Sequence, residues 1–117
     1  LKGGIMLNQV VIVGRLTKDI ELHNSENGSK VTTIIVAVPR SFKNINGEYE
    51  TDFIECTAFD IVATNTSTYC RKGDIIGIKG RLASKTVEIE NKKINKVEVI
   101  AEKITFLSSK SSKEEEK

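Results

Sequence analysis

The sequence predicts an all-β protein: a small five-stranded barrel with one short helix between its third and fourth strands. Three observations lead there. Five segments are rich in β-branched apolar residues, the connections between them carry Gly- and Asn-containing turn signals, and one connection alone is long enough and apolar enough to hold a helix. With 117 residues, the chain is one domain in length.

Taken in order, LNQVVIVGRL (7–16) is a near-continuous apolar run ending in Gly-Arg. VTTIIVAVPR (31–40) is β-branched throughout and is expected to stop at Pro39, which cannot donate to a ladder. TDFIECTAFD (51–60), DIIGIKGRLASKTVEI (74–89) and KVEVIAEKITFL (96–107) complete the set. Turns are expected at ENGS (26–29), NING (44–47) and ENKK (91–94). Between the third and fourth strands, IVATNTSTYCRKG (61–73) has room for two to three helical turns, with Gly73 as its stop. Its β-branched and Ser/Thr content makes that helix weak on propensity. A five-stranded barrel with a helix at this place is the OB-fold arrangement.

The third strand raises a functional question. Side chains alternate across a strand, so Ile54, Cys56 and Ala58 form an apolar face suited to a core. The other face carries Phe53, Glu55, Thr57 and Phe59. Only 5% of the chain is aromatic, yet two of its four phenylalanines share this wet face. Two flat side chains beside Glu and Thr suggest a surface on which something flat rests.

Composition excludes several classes. At 38% hydrophobic and 29% charged the chain is ordinary for a soluble globular protein, and no apolar run approaches a membrane span of about 20 residues. Cys56 and Cys70 are far apart and His23 stands alone, so no zinc site and no other metal or cofactor is expected. Cys56 has the parity of a small buried hydrophobe, and a reduced, cytoplasmic protein is the default. Acidic residues are scattered rather than clustered as metal-dependent phosphodiester cleavage requires, which argues against a nuclease or any other enzyme. Residues 1–5 read as a leader or remnant before Met6, and SSKSSKEEEK (108–117) as a disordered polar tail with three Lys and three Glu.

Three stretches carry a resemblance: NQVVIVGRLTKD (8–19), RSFKNINGE (40–48) and YCRKGDIIGIKGRL (69–82). In that order and spacing they closely resemble bacterial single-stranded DNA-binding proteins, in particular the short Gram-positive type, over residues 6–107. The resemblance implies an OB-fold domain over 6–107, a homotetramer, and sequence-independent binding of single-stranded DNA. It also implies stacking roles for Phe42, Phe53 and Phe59, at the positions where the family places its aromatics. Two of these are tryptophan in many members, and this chain has none. Where relatives often carry another aromatic, in the last hairpin, it reads SKTVE with Thr86 and Val87. That departure points to lower affinity rather than lost activity. The family's acidic tip ends in apolar residues, whereas Glu114, Glu115 and Glu116 here are followed by Lys117. This argues against recruitment of partner proteins through the tail.

Holding an unpaired strand without reading its sequence takes cations along a phosphate path and flat π surfaces for the bases. Phe53 and Phe59 lie six residues apart, roughly 20 Å on a strand, and so would serve different nucleotides. Phe42 sits between Arg40 and Lys43 where the second strand is expected to leave the sheet. Lys79, Arg81 and Lys85 share one parity of the fourth strand, opposite Ile76, Ile78 and Leu82. Arg15, Lys18 and Lys72 join them by resemblance as phosphate contacts. Tyr69 is expected in the core, Phe106 in barrel or interface packing, and Tyr49 is left open between the two roles. Gly14, Gly73, Gly77 and Gly80 read as bends and close backbone approaches rather than a phosphate loop. The function expected is non-catalytic binding and protection of single-stranded DNA in replication, recombination, repair or DNA uptake. The alternatives are a primosomal adaptor of the same fold, which binds DNA mainly to recruit other proteins, and a pure oligomerisation domain.

Overall fold

The structure is a computed structural model that describes residues 7–109. The expected leader at 1–5 and the expected tail (108–117) from 110 onward lie outside the described residues, while Ser108 closes the last strand. The elements run β1 (Val10–Leu16), β2 (His23–Asn24), β3 (Lys30–Lys43), β4 (Tyr49–Phe59), α1 (Asp60–Tyr69), β5 (Ile75–Ile89) and β6 (Lys92–Ser108). β2 is a two-residue bridge on the edge of β3, so the five expected strands correspond to β1, β3, β4, β5 and β6.

The sheet order is β1-β5-β6-β4-β3, and β3 returns to β1 through Arg15↔Ala37 and Leu16↔Val36, which closes the barrel. Every pairing is antiparallel except β4 with β6, which run parallel at Cys56↔Val99 and Thr57↔Ile100. This is the expected five-stranded OB-fold with one helix between its third and fourth main strands. Its core is Leu16, Ile34, Val36, Cys56, Ala58, Ala63, Cys70, Ile76, Ile78, Val99 and Ala101. The alternation read in TDFIECTAFD holds: Cys56 and Ala58 are fully buried, whereas Phe53 is 68% exposed.

Two glycines let strands approach more closely than a side chain allows. A Cβ on Gly80 would stand 2.0 Å from the Ile100 carbonyl oxygen, and one on Gly14 would stand 2.8 Å from that of Ala37. Gly80 follows the bulge at which β6 carries an extra residue, Glu102, between Ala101 and Lys103. A bulge beside a glycine bends the β5–β6 hairpin sharply at the point where β6 meets β4. Gly77 has no such constraint, its nearest neighbours lying at ordinary contact distance.

Several boundaries differ from expectation. The helix ends at Tyr69, where the Cys70 N–H donates to the Thr66 carbonyl and Cys70 turns extended and buried. Gly73 is not its stop. It sits at φ +93° in a separate turn, donating to the Leu16 carbonyl while the Asp74 carboxylate accepts the Arg71 N–H at 2.7 Å. Packing of Ala63 and Thr66 against the core supports a helix that propensity alone would not, and the Thr66 hydroxyl is satisfied by the Val62 carbonyl. Tyr69 is 71% exposed rather than in the core; it borders a groove with Ile104 and Phe106 of β6.

β3 also runs past Pro39 to Lys43. β1 pairs with β3 only at Val36 and Ala37, so by Pro39 one edge of β3 has no ladder for the missing N–H to break. The last hairpin turns tightly on Glu90 (φ +51°) and Asn91 (φ +65°), so β6 starts at Lys92 and the strands match Lys85 with Lys96. Leu82 keeps the inward parity but is 46% exposed; β1 pairs with β5 only as far as Gly80, and beyond it the Asn8 side chain pairs with both the N–H and the carbonyl of Leu82.

Two stability outcomes follow from this packing. Gly80→Ala drives a methyl into the Ile100 backbone and should cost about 3 kcal/mol or more, read as a lower urea midpoint. Ile34→Ala should cost about 2–5 kcal/mol, while Phe53→Ala shifts stability by about 1 kcal/mol or less. A large loss in Phe53→Ala would place that ring in the core.

Candidate nucleic-acid interface

None of the four phenylalanines is in the core. Phe42, Phe53, Phe59 and Phe106 are 64, 68, 42 and 46% exposed, and the buried interior is built from Leu, Ile, Val, Ala and Cys. Aromatic side chains have the largest apolar area to bury. A fold that leaves all of them outside forgoes its largest hydrophobic gains, so their exposure needs another account than folding.

The register shows what surrounds them. On the outer surface, Phe59, Thr57, Glu55 and Phe53 of β4 stand opposite Val31, Thr33, Ile35 and Ala37 of β3. Ala37 in turn faces Arg15 of β1, which brings Arg15 onto the row of Phe53. Its guanidinium donates to the Gly73 carbonyl at 2.5 Å, and the neighbouring Lys72 N–H donates to Asp19 at 2.8 Å. Arg15 and Lys72 therefore line one groove at the end of the barrel, with the exposed Lys18 in the loop that follows β1. At the other end of β4, Phe59 lies against the turn formed by Ser25, Glu26, Asn27 and Ser29.

The parallel contact extends this surface in the other direction. Thr57 lies beside Ile100, and Ile100 faces Arg81; the next pairs on the same side are Ala83 with Glu98 and Lys85 with Lys96. Phe53, Phe59, Arg15, Arg81 and Lys85 thus share one continuous outer face across five strands. Lys79 stands a row beyond, past the bulge, between Val11 and Lys103, and Lys103 borders a groove against α1.

Phe42 and Lys43 sit on the β3–β4 arm. Three β3 residues, Arg40, Ser41 and Phe42, there face only Glu50, so Phe42 belongs to a bulged strand rather than a loop. Lys43 lies over the Tyr49 ring at 5.7 Å, a cation–π contact. Arg40 is engaged elsewhere: it pairs with Asp52 and with Glu50, each at 2.9 Å. Asp52 has the parity of Ile54 and Cys56, opposite Phe53, so these contacts hold Arg40 on the reverse side of the arm. The Arg40 hydrogen bond keeps the Asp52 carboxyl below its ordinary pKa.

Ion pairs also cross this outer face. Lys85 meets Glu98 at 3.2 Å, and Lys96 meets Glu55 at 3.5 Å. The Lys96–Glu55 pair is exposed on both sides and is worth only about 0.2–1 kcal/mol; in the other pair Lys85 is exposed while Glu98 is largely covered. Lys96 and Glu98 escaped the sequence reading because their places on this face depend on the tight turn at Glu90–Asn91, whose Glu-Asn pair is a weaker hairpin signal than Asn-Gly. Among the described residues, no cluster of His, Cys, Asp or Glu could hold a metal ion, and no helix is long and apolar enough to cross a membrane. The Cys56 thiol is pushed up to about 11 by burial, with the Glu55 charge adding to the effect, so it is un-ionised at neutral pH.

Comparison with known proteins agrees with this geometry. Residues 7–107 match the model of the single-strand binding protein family. Over 106 residues the chain is 42% identical to single-stranded DNA-binding protein B of Bacillus subtilis (strain 168), covering 90% of this chain and 94% of that protein. It is also 42% identical over 110 residues to single-stranded DNA-binding protein 1 of Staphylococcus aureus (strain COL), and over 106 residues to single-stranded DNA-binding protein 3 of Listeria innocua. These alignments cover 93% and 90% of this chain and 66% of each of those two proteins. With its OB-fold barrel, its exposed aromatics and a family match that spans nearly the whole described chain, the protein belongs to the single-strand binding protein family.

Proposed function

We propose that the chain binds single-stranded DNA without sequence preference and without catalysis, in the cytoplasm, protecting transient single strands in replication, recombination or repair. The observation that carries this reading is the placement of Phe53 and Phe59, both exposed, on a face that runs unbroken onto the cations of the β5–β6 hairpin. Bases would stack on the two rings, which stand too far apart to share one nucleotide. Phosphates would track past Arg15, Lys18 and Lys72 at one end of the barrel and Arg81, Lys85 and Lys96 at the hairpin. Phe42 and Lys43 would extend the path along the β3–β4 arm, with Lys79 at its margin. Arg40 would join only after leaving Asp52 and Glu50. Sequence independence follows because every base has a π face and every nucleotide a phosphate.

Homotetramer assembly rests on family membership. It is supported by apolar side chains left open on the outside of the barrel, among them Val11 and Val13 at 72 and 53% exposure. No observation favours the adaptor reading over direct DNA binding.

Phe53→Ala and Phe59→Ala should each weaken binding to a dT oligonucleotide by about 1–3 kcal/mol, or about fivefold to more than a hundredfold, with melting temperature nearly unchanged. Duplex DNA of equal length should bind far more weakly, and log K for the single strand should fall with log salt at roughly −0.7 per phosphate neutralised. Fluorescence anisotropy titrations read all three. Unaltered affinity in both alanine variants, or equal affinity for duplex, would contradict the stacking face.

A further inference from the structure

The face that carries Phe53 and Phe59 also carries carboxylates, and two of them rest on lysines. The Glu98 side chain, only 12% exposed, sits between Lys85 Nζ at 3.2 Å and the Thr57 hydroxyl, which donates to it at 3.3 Å. Glu55 stands between the two phenylalanines on β4, nearer Phe53, and meets Lys96 Nζ at 3.5 Å. Lys85 and Lys96 are direct cross-strand partners, two like charges that would repel each other without these carboxylates. The four charges sum to zero on a surface where a polyanion has to land.

We infer that Glu55 and Glu98 are internal stand-ins for phosphate. In the free protein they occupy the ammonium groups of Lys96 and Lys85, and a strand laid over Phe53 and Phe59 must displace them. A carboxylate and a phosphodiester offer an ammonium group the same kind of anionic oxygen, so binding exchanges one for the other and adds little net charge contact. The Thr57 hydroxyl is a positioning group, holding Glu98 toward Lys85. Lys85 and Lys96 consequently contribute less to affinity, and less to salt dependence, than free lysines would. The two glutamates set an upper limit on how tightly this face holds a strand. This deepens the single-strand reading above and rests on it.

The test is a dT oligonucleotide titration of the full chain and of Glu55→Gln/Glu98→Gln at several salt concentrations. Glu88→Gln serves as the control for simple loss of negative charge. Glu88 faces Lys93 on the opposite side of the same hairpin from Lys85 and Lys96. The double variant should bind more tightly, by up to about fivefold per carboxylate. The slope of log K against log salt should steepen, by at most about 0.7 for each lysine released, while Glu88→Gln leaves it unchanged. If Glu98→Gln lowers the melting temperature, Glu55→Gln alone should still steepen the slope, by at most about 0.7. An unchanged slope, weaker binding, or the same steepening in Glu88→Gln would overturn the inference. Failure of the unmodified chain to bind dT would instead overturn the binding reading itself.

Discussion

The molecule depends on one short parallel contact, in which Cys56 and Thr57 of β4 lie beside Val99 and Ile100 of β6. On its inner side this contact buries Cys56 and Val99 and joins the β5–β6 hairpin to the β3–β4 hairpin around the core. On its outer side it sets Thr57 next to Ile100 and, through Ile100, next to Arg81. Without it, the phenylalanines and the cationic hairpin would belong to separate surfaces. Two features make it possible. Cys56 is small enough to be fully buried in the seam, and Gly80 lets β5 pass so close to Ile100 that any side chain there would collide with its carbonyl.

That geometry divides the work between two weak forces. An exposed ion pair such as Lys96–Glu55 is worth at most about 1 kcal/mol, whereas each stacked base is worth about 1–3 kcal/mol. Stacking therefore supplies the part of the binding energy that a duplex, with its bases turned inward, cannot offer. Charge supplies attraction at a distance, and that attraction weakens with salt. A core of aliphatic and small residues, with no aromatic in it, leaves the rings at the surface, where the proposed stacking needs them.

Much of this was legible in the sequence. Strict alternation in TDFIECTAFD placed Phe53 and Phe59 outside because a period of two admits no other arrangement once Cys56 and Ala58 are in the core. The turns at Asn27-Gly28 and Asn46-Gly47 were legible as well, since Gly28 and Gly47 adopt positive φ. What escaped were properties set by contacts distant in sequence. The helix stop is fixed by Cys70 turning into the core and Gly73 bonding to Leu16, so local glycine chemistry misplaced it. Arg40 looked like a free cation in RSFK, and only the bulge that brings it to Asp52 and Glu50 shows otherwise. Lys96 and Glu98 came into view only with the hairpin register.

The central claim is that a single strand lies on the outer face of β3, β4, β6 and β5. Backbone amide chemical-shift mapping by NMR, on adding a dT oligonucleotide, tests it most directly. The account predicts the largest changes at residues 53–59, 81–85 and 96–100, with the helix residues 61–69 left nearly still. Changes centred instead on the groove between α1 and β6, with Phe53 and Phe59 unmoved, would contradict it.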